Sequence, residues 1–251
     1  DLHSFPTRRS SDLEPASGNE IKTLLDTPLL LTLLVVVYSA AQRIPPSLSE
    51  FYELLFQTLL SRHDATKTGF KRKRATGLSD SDLRKTFDAF CYASSQSNLL
   101  VLSHQEIRTI LKRAHKVTKI DVDVDAFIKD VTQVACLMQQ EALKYHFVHK
   151  SVVEFHAASF IRESPEENAI KFYSKVATQD LQWYQELQFL SQIDRHRYLR
   201  YFCIPTIEHS LQLFDVPANT DPELFEADHE MVARLTGSRS EERRVGKECR
   251  S

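Results

Sequence analysis

The sequence predicts a mainly α-helical protein: a helical domain, then a winged-helix domain with a short β-hairpin, then a second helical domain. Apolar residues recur at helical spacing along most of the chain, and glycines and prolines mark breaks between the stripes. Between residues 78 and 163, three helical stripes precede two short strand-like segments and one more helix. That order is the outline of a winged helix, and the amphipathic stripes after residue 164 predict stacked helices.

The two ends of the chain are encoded by opposite strands of one oligonucleotide. A DNA sequence that encodes DLHSFPTRRSSDL has a reverse complement that encodes RSEERRVGKECRS, which is the other end residue for residue. We therefore interpret residues 1–13 and 239–251 as translated sequencing adapter, expect them to be disordered, and leave them out of the fold prediction. Residues 14–238 are expected to be a fragment of a longer protein.

Charge and cysteine content limit the expected partners and compartment. The two ends carry seven of the 32 Lys and Arg residues and five of the 34 Asp and Glu residues, which leaves 25 basic against 29 acidic residues and a net charge of −4. Nucleic acid and membrane are therefore not expected as partners. The remaining cysteines are widely spaced and odd in number, which predicts reduced thiols and a cytoplasmic location: Cys91, Cys136 and Cys203.

The most apolar segment predicts a buried helix rather than a membrane span. It covers fourteen residues, 28–41, whereas a span needs about 20. Pro28 suits the first turn of a helix, and the two prolines that follow the segment end it. We expect this helix to be buried on most sides.

The domain boundaries follow from the changes in pattern along the chain. A second helix, with a capping-box pattern at Ser47 and Glu50, completes the first helical domain. A glycine-containing segment rich in Lys and Arg is interpreted as a solvated linker, with a nucleic-acid-binding arm as the alternative. The predicted domains are a helical domain (14–62), a basic linker (63–77), a winged-helix domain (78–163), a second helical domain (164–215) and a tail or start of a sensor region (216–238).

Local signals place the elements of the winged-helix domain. Its second helix opens with a capping-box pattern at Ser103 and Glu106. Two short strands are expected on either side of a turn near residues 141–144, and the last helix follows them.

The stretch YHFVHKSVVEFHAASFI contains three histidines and a glutamate, which raises the question of a metal site. His146 and His149 lie three apart on a predicted strand, so their side chains point to opposite faces. Glu154 and His156 lie two apart on the next helix, about 200° around its axis. Zinc is therefore not expected, and without a nucleophile elbow or oxyanion loop a hydrolase site is not expected either.

A phosphate contact fits His149 better. Ser151 and Glu154 form a capping-box pattern, which places His149 just before a helix N-terminus. Such an end presents free N–H groups and a partial positive charge, both of which suit an anion. The alternative is a half-buried histidine that closes a strand-to-helix corner.

Together, the PLLL helix and the block FVHKSVVEFHAA resemble the C-terminal part of the nucleotide-binding module of NACHT-type STAND NTPases. The resemblance covers residues 21–163. It implies that Pro28 packs against the base of a bound nucleotide and that His149 contacts the β-phosphate of ADP and locks a resting state. The sequence differs from the usual pattern at Val153, where glutamine is usual, and at His156, where an apolar residue is usual and a looser helix face is expected.

The resemblance also implies what lies elsewhere. The chain has no G-x-x-x-x-G-K-[ST] phosphate loop, so no catalytic residue is expected in this fragment, although the parent would be an ATPase that binds ADP or ATP with Mg²⁺. The partners implied are an N-terminal nucleotide-binding core in the same chain and, on activation, further copies in a homo-oligomer. The implied role is an autoinhibitory lid in signal transduction, in defence or regulation.

A DNA-binding winged-helix regulator is the alternative function. Its recognition helix would be 103–116. The basic residues on that helix are Arg108, Lys112, Arg113 and Lys116. The acidic net charge and the apolar face of this helix disfavour that function.

Overall fold

The computed structural model describes residues 24–25, 27–65, 74–179 and 181–213. They form a mainly helical structure with a three-stranded antiparallel sheet, and the chain divides into two compact units, one ending at Cys203 and one beginning at Ile204. Residues 1–13, 66–73, 216–238 and 239–251, for which adapter, linker and tail are predicted, lie outside the described residues. The α-helices of the first unit are α1 (Pro28–Ala41), α2 (Leu48–Ala65), α3 (Asp80–Gln96), α4 (His104–Thr118), α5 (Val124–Lys129), α6 (Lys150–Glu163), α7 (Glu166–Gln179), α8 (Tyr184–Ile193) and α9 (Arg195–Tyr198). Its strands are β1 (Val101–Ser103), β2 (Met138–Glu141) and β3 (Lys144–Phe147), and the second unit contains α10 (Ile204–Leu213).

Helix α1 packs on α2 through one narrow stripe. Its buried residues are Leu30, Leu34 and Val37, while Val35 is 56% exposed. The expectation of a helix buried on most sides is therefore wrong, because within the described residues only α2 packs extensively on it. No helix among the described residues is long and apolar enough to cross a membrane.

Only half of the predicted capping box at the start of α2 forms. The backbone N–H of Glu50 donates to Ser47 Oγ over 3.2 Å. The carboxylate of Glu50 pairs with Arg43 instead of returning to the backbone of Ser47. One such bond is enough to begin the helix, because it satisfies one of its free N–H groups.

The end of the predicted linker is bound to the domain that follows it. The carboxylate of Asp130, which is 1% exposed, accepts from the backbone N–H of Ala75 over 2.9 Å and from that of Thr76 over 3.0 Å. The hydroxyl of Thr76 donates to the same carboxylate over 2.6 Å. The predicted linker (63–77) is therefore anchored at its end through the backbone of residues 75 and 76, while Ala75 remains exposed and Thr76 is half-buried.

The sheet has the order β1-β3-β2, with both pairings antiparallel. The predicted hairpin is confirmed, and its turn is formed by Ala142 and Leu143. Strand β1 was not predicted because three residues are too few to show an alternating pattern. The predicted capping box between Ser103 and Glu106 is confirmed and begins α4 directly after β1.

The core of the first unit lies between α3 and α6, and α6 packs on its other side against α8. Aromatic rings fill it: Phe87, Phe90, Phe127 and Phe155 are fully buried. A π-helical segment, Asp130–Val134, widens the last turn of α5 and leads into β2. The histidine stretch therefore runs from the sheet directly into the most buried helix of the unit.

The predicted helices after residue 164 are confirmed. Within the first unit, α7 and α8 pack on α6, and Arg197 joins this group to the C-terminal end of α6 by donating to the carbonyl oxygen of Ser164 over 3.1 Å. Arg197 also pairs with Asp194 over 2.9 Å, and the hydroxyl of Tyr173 donates to that carboxylate over 3.0 Å. The cysteines Cys91, Cys136 and Cys203 are free thiols, as predicted.

Candidate functional site around His149

His149 itself caps helix α6. Its backbone is extended, with φ −153° and ψ 147°, and its Nδ1 accepts from the backbone N–H of Ser151 over 3.2 Å. The predicted capping box between Ser151 and Glu154 is therefore wrong: Ser151 lies inside the first turn, and the carboxylate of Glu154 lies 3.1 Å from Lys150 Nζ. The imidazole occupies the place that a serine hydroxyl usually takes, and satisfies one of the free N–H groups of the helix.

A short hydrogen-bonded relay continues from His149 to helix α2. Ser151 Oγ lies 2.5 Å from His149 Nδ1, and the hydroxyl of Tyr52 contacts Ser151 Oγ. Tyr52 is 2% exposed and lies among the rings of the core. The relay therefore joins the strand-to-helix corner to a helix that lies about a hundred residues earlier in the sequence.

The hydrogen bonds assign the proton of the imidazole. Since Nδ1 accepts from a backbone N–H, it carries no proton, and the neutral ring carries its proton on Nε2. Burial lowers the pKa of His149 and outweighs the opposing effect of Glu154, which keeps the ring neutral near pH 7. A neutral imidazole of this tautomer offers one N–H donor, at Nε2, to an anion.

Pro28, the other residue that the resemblance assigns to the nucleotide, opens helix α1 and is exposed. His149 begins α6, so the two residues stand at the N-terminal ends of different helices. Helix α2 contacts both α1 and α6. The two helices that begin at these residues therefore pack on the same helix, α2, and among the described residues they do not pack extensively on each other.

A partly buried ionic cluster, which we call the Arg84 cluster, was not predicted from the sequence. Arg84 donates to both carboxylate oxygens of Glu53 over 3.0 and 3.1 Å, and its Nε donates to Asp88 over 3.1 Å. Asp88 in turn contacts His156 Nδ1 over 2.5 Å. The cluster, Glu53, Arg84, Asp88 and His156, connects α2, α3 and α6.

His156 is tightly packed rather than set on a looser helix face, so that expectation is wrong. It is 1% exposed, and its ring lies edge-on to Phe87 and Phe155, with centroid distances of 4.8 and 5.4 Å. Asp88 supplies the polar partner that an apolar residue would not need. Burial lowers the pKa of His156 more than Asp88 raises it, so the ring is neutral and donates from Nδ1 to the carboxylate.

Glu53 and Arg84 of this cluster are each held in the ionised form by the other's charge. Burial alone would raise the pKa of Glu53, but the hydrogen bonds and charge of Arg84 outweigh it and lower that pKa. Burial would likewise lower the pKa of Arg84, and Asp88 and Glu53 together raise it. One sign of this cluster is present in the sequence, because Asp88 falls within the apolar stripe of α3, four residues after Arg84.

A further buried carboxyl lies on α8. Glu186 is 4% exposed, and burial raises its pKa to about 7, with a hydrogen bond to its own backbone opposing the shift and the charge of Glu154 adding to it. It was not predicted because α8 carries no motif that marks it. Near neutral pH this carboxyl is protonated in about half of the molecules.

The histidines of the stretch do not converge on one point. His146 lies on β3 beside Glu141, 3.6 Å away, His149 caps α6, and His156 is buried against Asp88. Across residues 27–65, 74–179 and 181–213, no group of three or more His, Cys, Asp or Glu side chains is placed to hold a metal ion. Comparison of the sequence with protein-family models gives no match, and comparison with curated proteins gives none either.

Proposed function

We propose that this chain is the nucleotide-sensing and autoinhibitory part of a NACHT-type STAND signalling NTPase. In this function Nε2–H of His149 donates to the β-phosphate of ADP and stabilises a resting state. The observation that carries the proposal is the N-cap geometry: Nδ1 is held by the backbone N–H of Ser151, so the ring offers a donor and no acceptor to an anion. The adjoining helix N-terminus adds a partial positive charge.

The order of elements from α3 to α6 supports a winged-helix domain. A helix, a short strand, two helices and a β-hairpin follow one another, and the first strand pairs with the second strand of the hairpin, β3. The helix that follows the hairpin begins at His149. In this proposal the winged helix acts as a lid over the nucleotide and moves when the nucleotide is exchanged.

The exposed apolar face of α1 supports an N-terminal nucleotide-binding core as the partner of this chain. Leu31 and Tyr38 on that face are 41% and 48% exposed. In the proposed protein the core supplies the phosphate loop and the Mg²⁺ ligands and covers this face, and Pro28 packs against the base of ADP or ATP. Release of the lid would then permit assembly into a homo-oligomer in the cytoplasm.

The test uses the whole protein, in which this chain is joined to its nucleotide-binding core. His149→Ala removes both the ring and the cap, whereas His149→Asn keeps a strong N-cap and removes only the ring. If Nε2 contacts the phosphate, both variants lose co-purifying ADP, measured by chromatography of the nucleotide released on denaturation. His146→Asn, on the neighbouring strand, is the matched control and retains ADP.

A purely structural role for His149 gives a different result. In that case His149→Asn retains as much ADP as the unaltered protein, since it restores the cap. Such retention would falsify the phosphate contact.

Binding of DNA is the second candidate, and one observation favours it. The side chains of Arg108, Lys112 and Lys116 are exposed on α4, and none forms an ion pair within the part of the chain that the structure describes. The order of elements makes α4 and α5 the helix-turn-helix pair. The second helix of such a pair enters the major groove, so the basic side chains of α4 would lie on the wrong helix for this function. An acidic residue, Asp123, caps α5 and a second, Asp125, lies in its first turn.

The DNA alternative is tested by fluorescence anisotropy with a labelled random duplex. We expect no binding at physiological salt, with an upper limit on affinity set by the highest protein concentration. Binding that weakens steeply as salt is raised, and that is lost in Lys112→Glu, would favour this alternative instead.

A further inference from the structure

Tyr52 presents a hydroxyl group in an aromatic environment where few polar partners are available. Its ring lies 4.9 Å from that of Phe51, 5.5 Å from that of Phe155 and 5.9 Å from that of Phe189, all measured between centroids. The hydroxyl contacts Ser151 Oγ at the start of α6. Burial raises the pKa of Tyr52 to about 12, so the group keeps its proton at neutral pH.

The protons available in the relay allow its hydrogen bonds to run in one direction only, from Tyr52 to Ser151 and from Ser151 to His149. Nδ1 of His149 accepts from the backbone N–H of Ser151, so it has no proton to give. Its 2.5 Å contact with Ser151 Oγ therefore requires the serine hydroxyl to donate. A serine has one hydroxyl proton, so the contact with Tyr52 requires the tyrosine to donate.

We propose that Tyr52 is a positioning residue for His149: by donating to Ser151 it directs the serine hydroxyl at Nδ1 and holds the imidazole in the form protonated at Nε2. This inference rests on the proposed function, in which Nε2–H contacts the nucleotide phosphate. It makes helix α2 part of the phosphate contact indirectly, through Ser151 and His149.

Loss of the Tyr52 hydroxyl is expected to change which nitrogen of His149 carries the proton. Without the tyrosine hydroxyl, the hydroxyl of Ser151 is free to rotate, and its oxygen can accept a hydrogen bond from Nδ1–H in competition with the 3.2 Å donation from the backbone N–H of Ser151 to Nδ1. The ring then also populates the form that is unprotonated at Nε2, which presents a lone pair rather than a donor to a phosphate oxygen. Displacing α2 from α6 would have the same effect as removing the hydroxyl.

One charged group that acts on the relay, Glu154, remains in place with its ionic partner when the tyrosine is changed. Glu154, on α6, raises the pKa of both Tyr52 and His149, and it pairs with Lys150 over 3.1 Å. Because these charges also influence whether His149 is protonated, the test measures which nitrogen of the neutral ring carries the proton, and the charge state is followed separately.

The experiment is NMR of the 251-residue chain labelled with ¹⁵N-histidine, and the ring signals of His149 are identified by their loss in His149→Asn. In the unaltered chain at pH 8 we expect a protonated-type shift for Nε2 and an unprotonated-type shift for Nδ1. Tyr52→Phe, which keeps the packed ring, shifts both nitrogens towards intermediate values and raises the pKa of His149. Tyr38→Phe, at an exposed tyrosine of α1, is the matched control and leaves the signals unchanged.

A second variant isolates the role of the serine hydroxyl. Ser151→Ala keeps the backbone N–H that donates to Nδ1, so the Nε2-protonated form persists, and adding Tyr52→Phe to it has no further effect on the ring. If Tyr52→Phe leaves the His149 signals as they are in the unaltered chain, the positioning role is wrong. An equal effect of Tyr52→Phe with and without the serine hydroxyl also overturns it.

Retention of nucleotide separates this inference from the function on which it rests. In the whole protein we expect Tyr52→Phe to weaken ADP retention by about fivefold, a typical effect of one hydrogen bond, and less than His149→Asn does. If the ring signals shift in Tyr52→Phe but neither variant loses ADP, the phosphate contact is wrong and the positioning role stands. Loss of ADP in both variants with unshifted ring signals overturns the positioning role alone.

Discussion

His156 Nδ1 lies 2.5 Å from Asp88 Oδ1 in the interior of the protein, where both side chains are almost completely buried. Asp88 also accepts from Arg84, so one carboxylate neutralises a guanidinium and satisfies an imidazole. Buried polar groups arranged in this way make neighbouring helices depend on one another, because removing one partner leaves another without its hydrogen bond.

Removal of Asp88 is therefore expected to be costly. Asp88→Ala leaves Arg84 with Glu53 as its ionic partner and leaves His156 without an acceptor, and we expect it to lower the free energy of unfolding by about 3 kcal/mol. The measurement is equilibrium unfolding in urea. Asp82→Ala, at a half-buried aspartate of α3 outside the Arg84 cluster, is the control, and a loss there as large as in Asp88→Ala would contradict the role of the cluster.

Acid should destabilise the protein through its buried histidines. Burial lowers the pKa of His149 and of His156 below the ordinary value of 6.5. Between the lowered pKa and 6.5 the folded chain holds fewer protons than the unfolded chain, so acid favours the unfolded chain. The contribution of the two neutral imidazoles to stability is therefore complete above pH 6.5 and is lost as the pH falls through that interval. Unfolding curves at pH 7.5 and pH 5 measure the effect.

The variant His156→Leu identifies the residue responsible for part of that effect. Without a titrating group at this position, the decrease in stability between pH 7.5 and pH 5 should be smaller than in the unaltered chain. His196→Gln, at an exposed histidine of α9, is the control and should change the decrease less than His156→Leu does. A decrease of the same size in all three proteins would contradict the prediction.

Glu186 is expected to act in the opposite direction. Burial raises its pKa from 4.5 to about 7, so the folded chain binds the additional proton, and this contribution to stability is present below pH 4.5 and is lost as the pH rises towards 7. Glu186→Gln, which stays neutral, should raise the free energy of unfolding by about 3 kcal/mol at pH 8 and by much less at pH 5. Glu208→Gln, at an exposed glutamate of α10, should show no such difference between the two pH values.

Asp130 is expected to control the order of the segment before α3. Its carboxylate holds the N–H groups of Ala75 and Thr76, so Asp130→Ala should increase hydrogen exchange at both amides by at least about tenfold, since each loses a buried acceptor. Asp130→Asn keeps one acceptor oxygen and should have a smaller effect. Unchanged protection of the two amides in Asp130→Ala would show that other contacts hold the segment.

Features that depend on nearby residues could be predicted from the sequence. The capping box of Ser103 and Glu106 and the hairpin that leads to His149 involve residues three or four apart, so their patterns are visible in a short window. The mainly helical class followed from the same kind of periodicity. The position of His149 just before a helix was also predicted.

Features that depend on distant residues could not be predicted. The partner of His156 is 68 residues away, and Tyr52 is 99 residues from Ser151, so no local spacing marks either contact. The cap of α6 shows the limit of a local motif. Ser151 and Glu154 match the capping-box pattern, yet an imidazole two residues earlier fills the same position and Glu154 binds Lys150 instead.

Because of the widened turn at Asp130–Val134, this part of the chain should be more sensitive to the deletion of a residue than to its substitution. In an α-helix each residue advances the side-chain direction by about 100°, and a π turn accommodates one residue more than an α turn. Deleting a single residue from this turn would restore the regular helix. The side chain of Asp130 would then be rotated by about 100° about the helix axis relative to β2. Substitutions at its outward positions can therefore be tolerated, whereas a one-residue deletion would move the carboxylate away from Ala75 and Thr76.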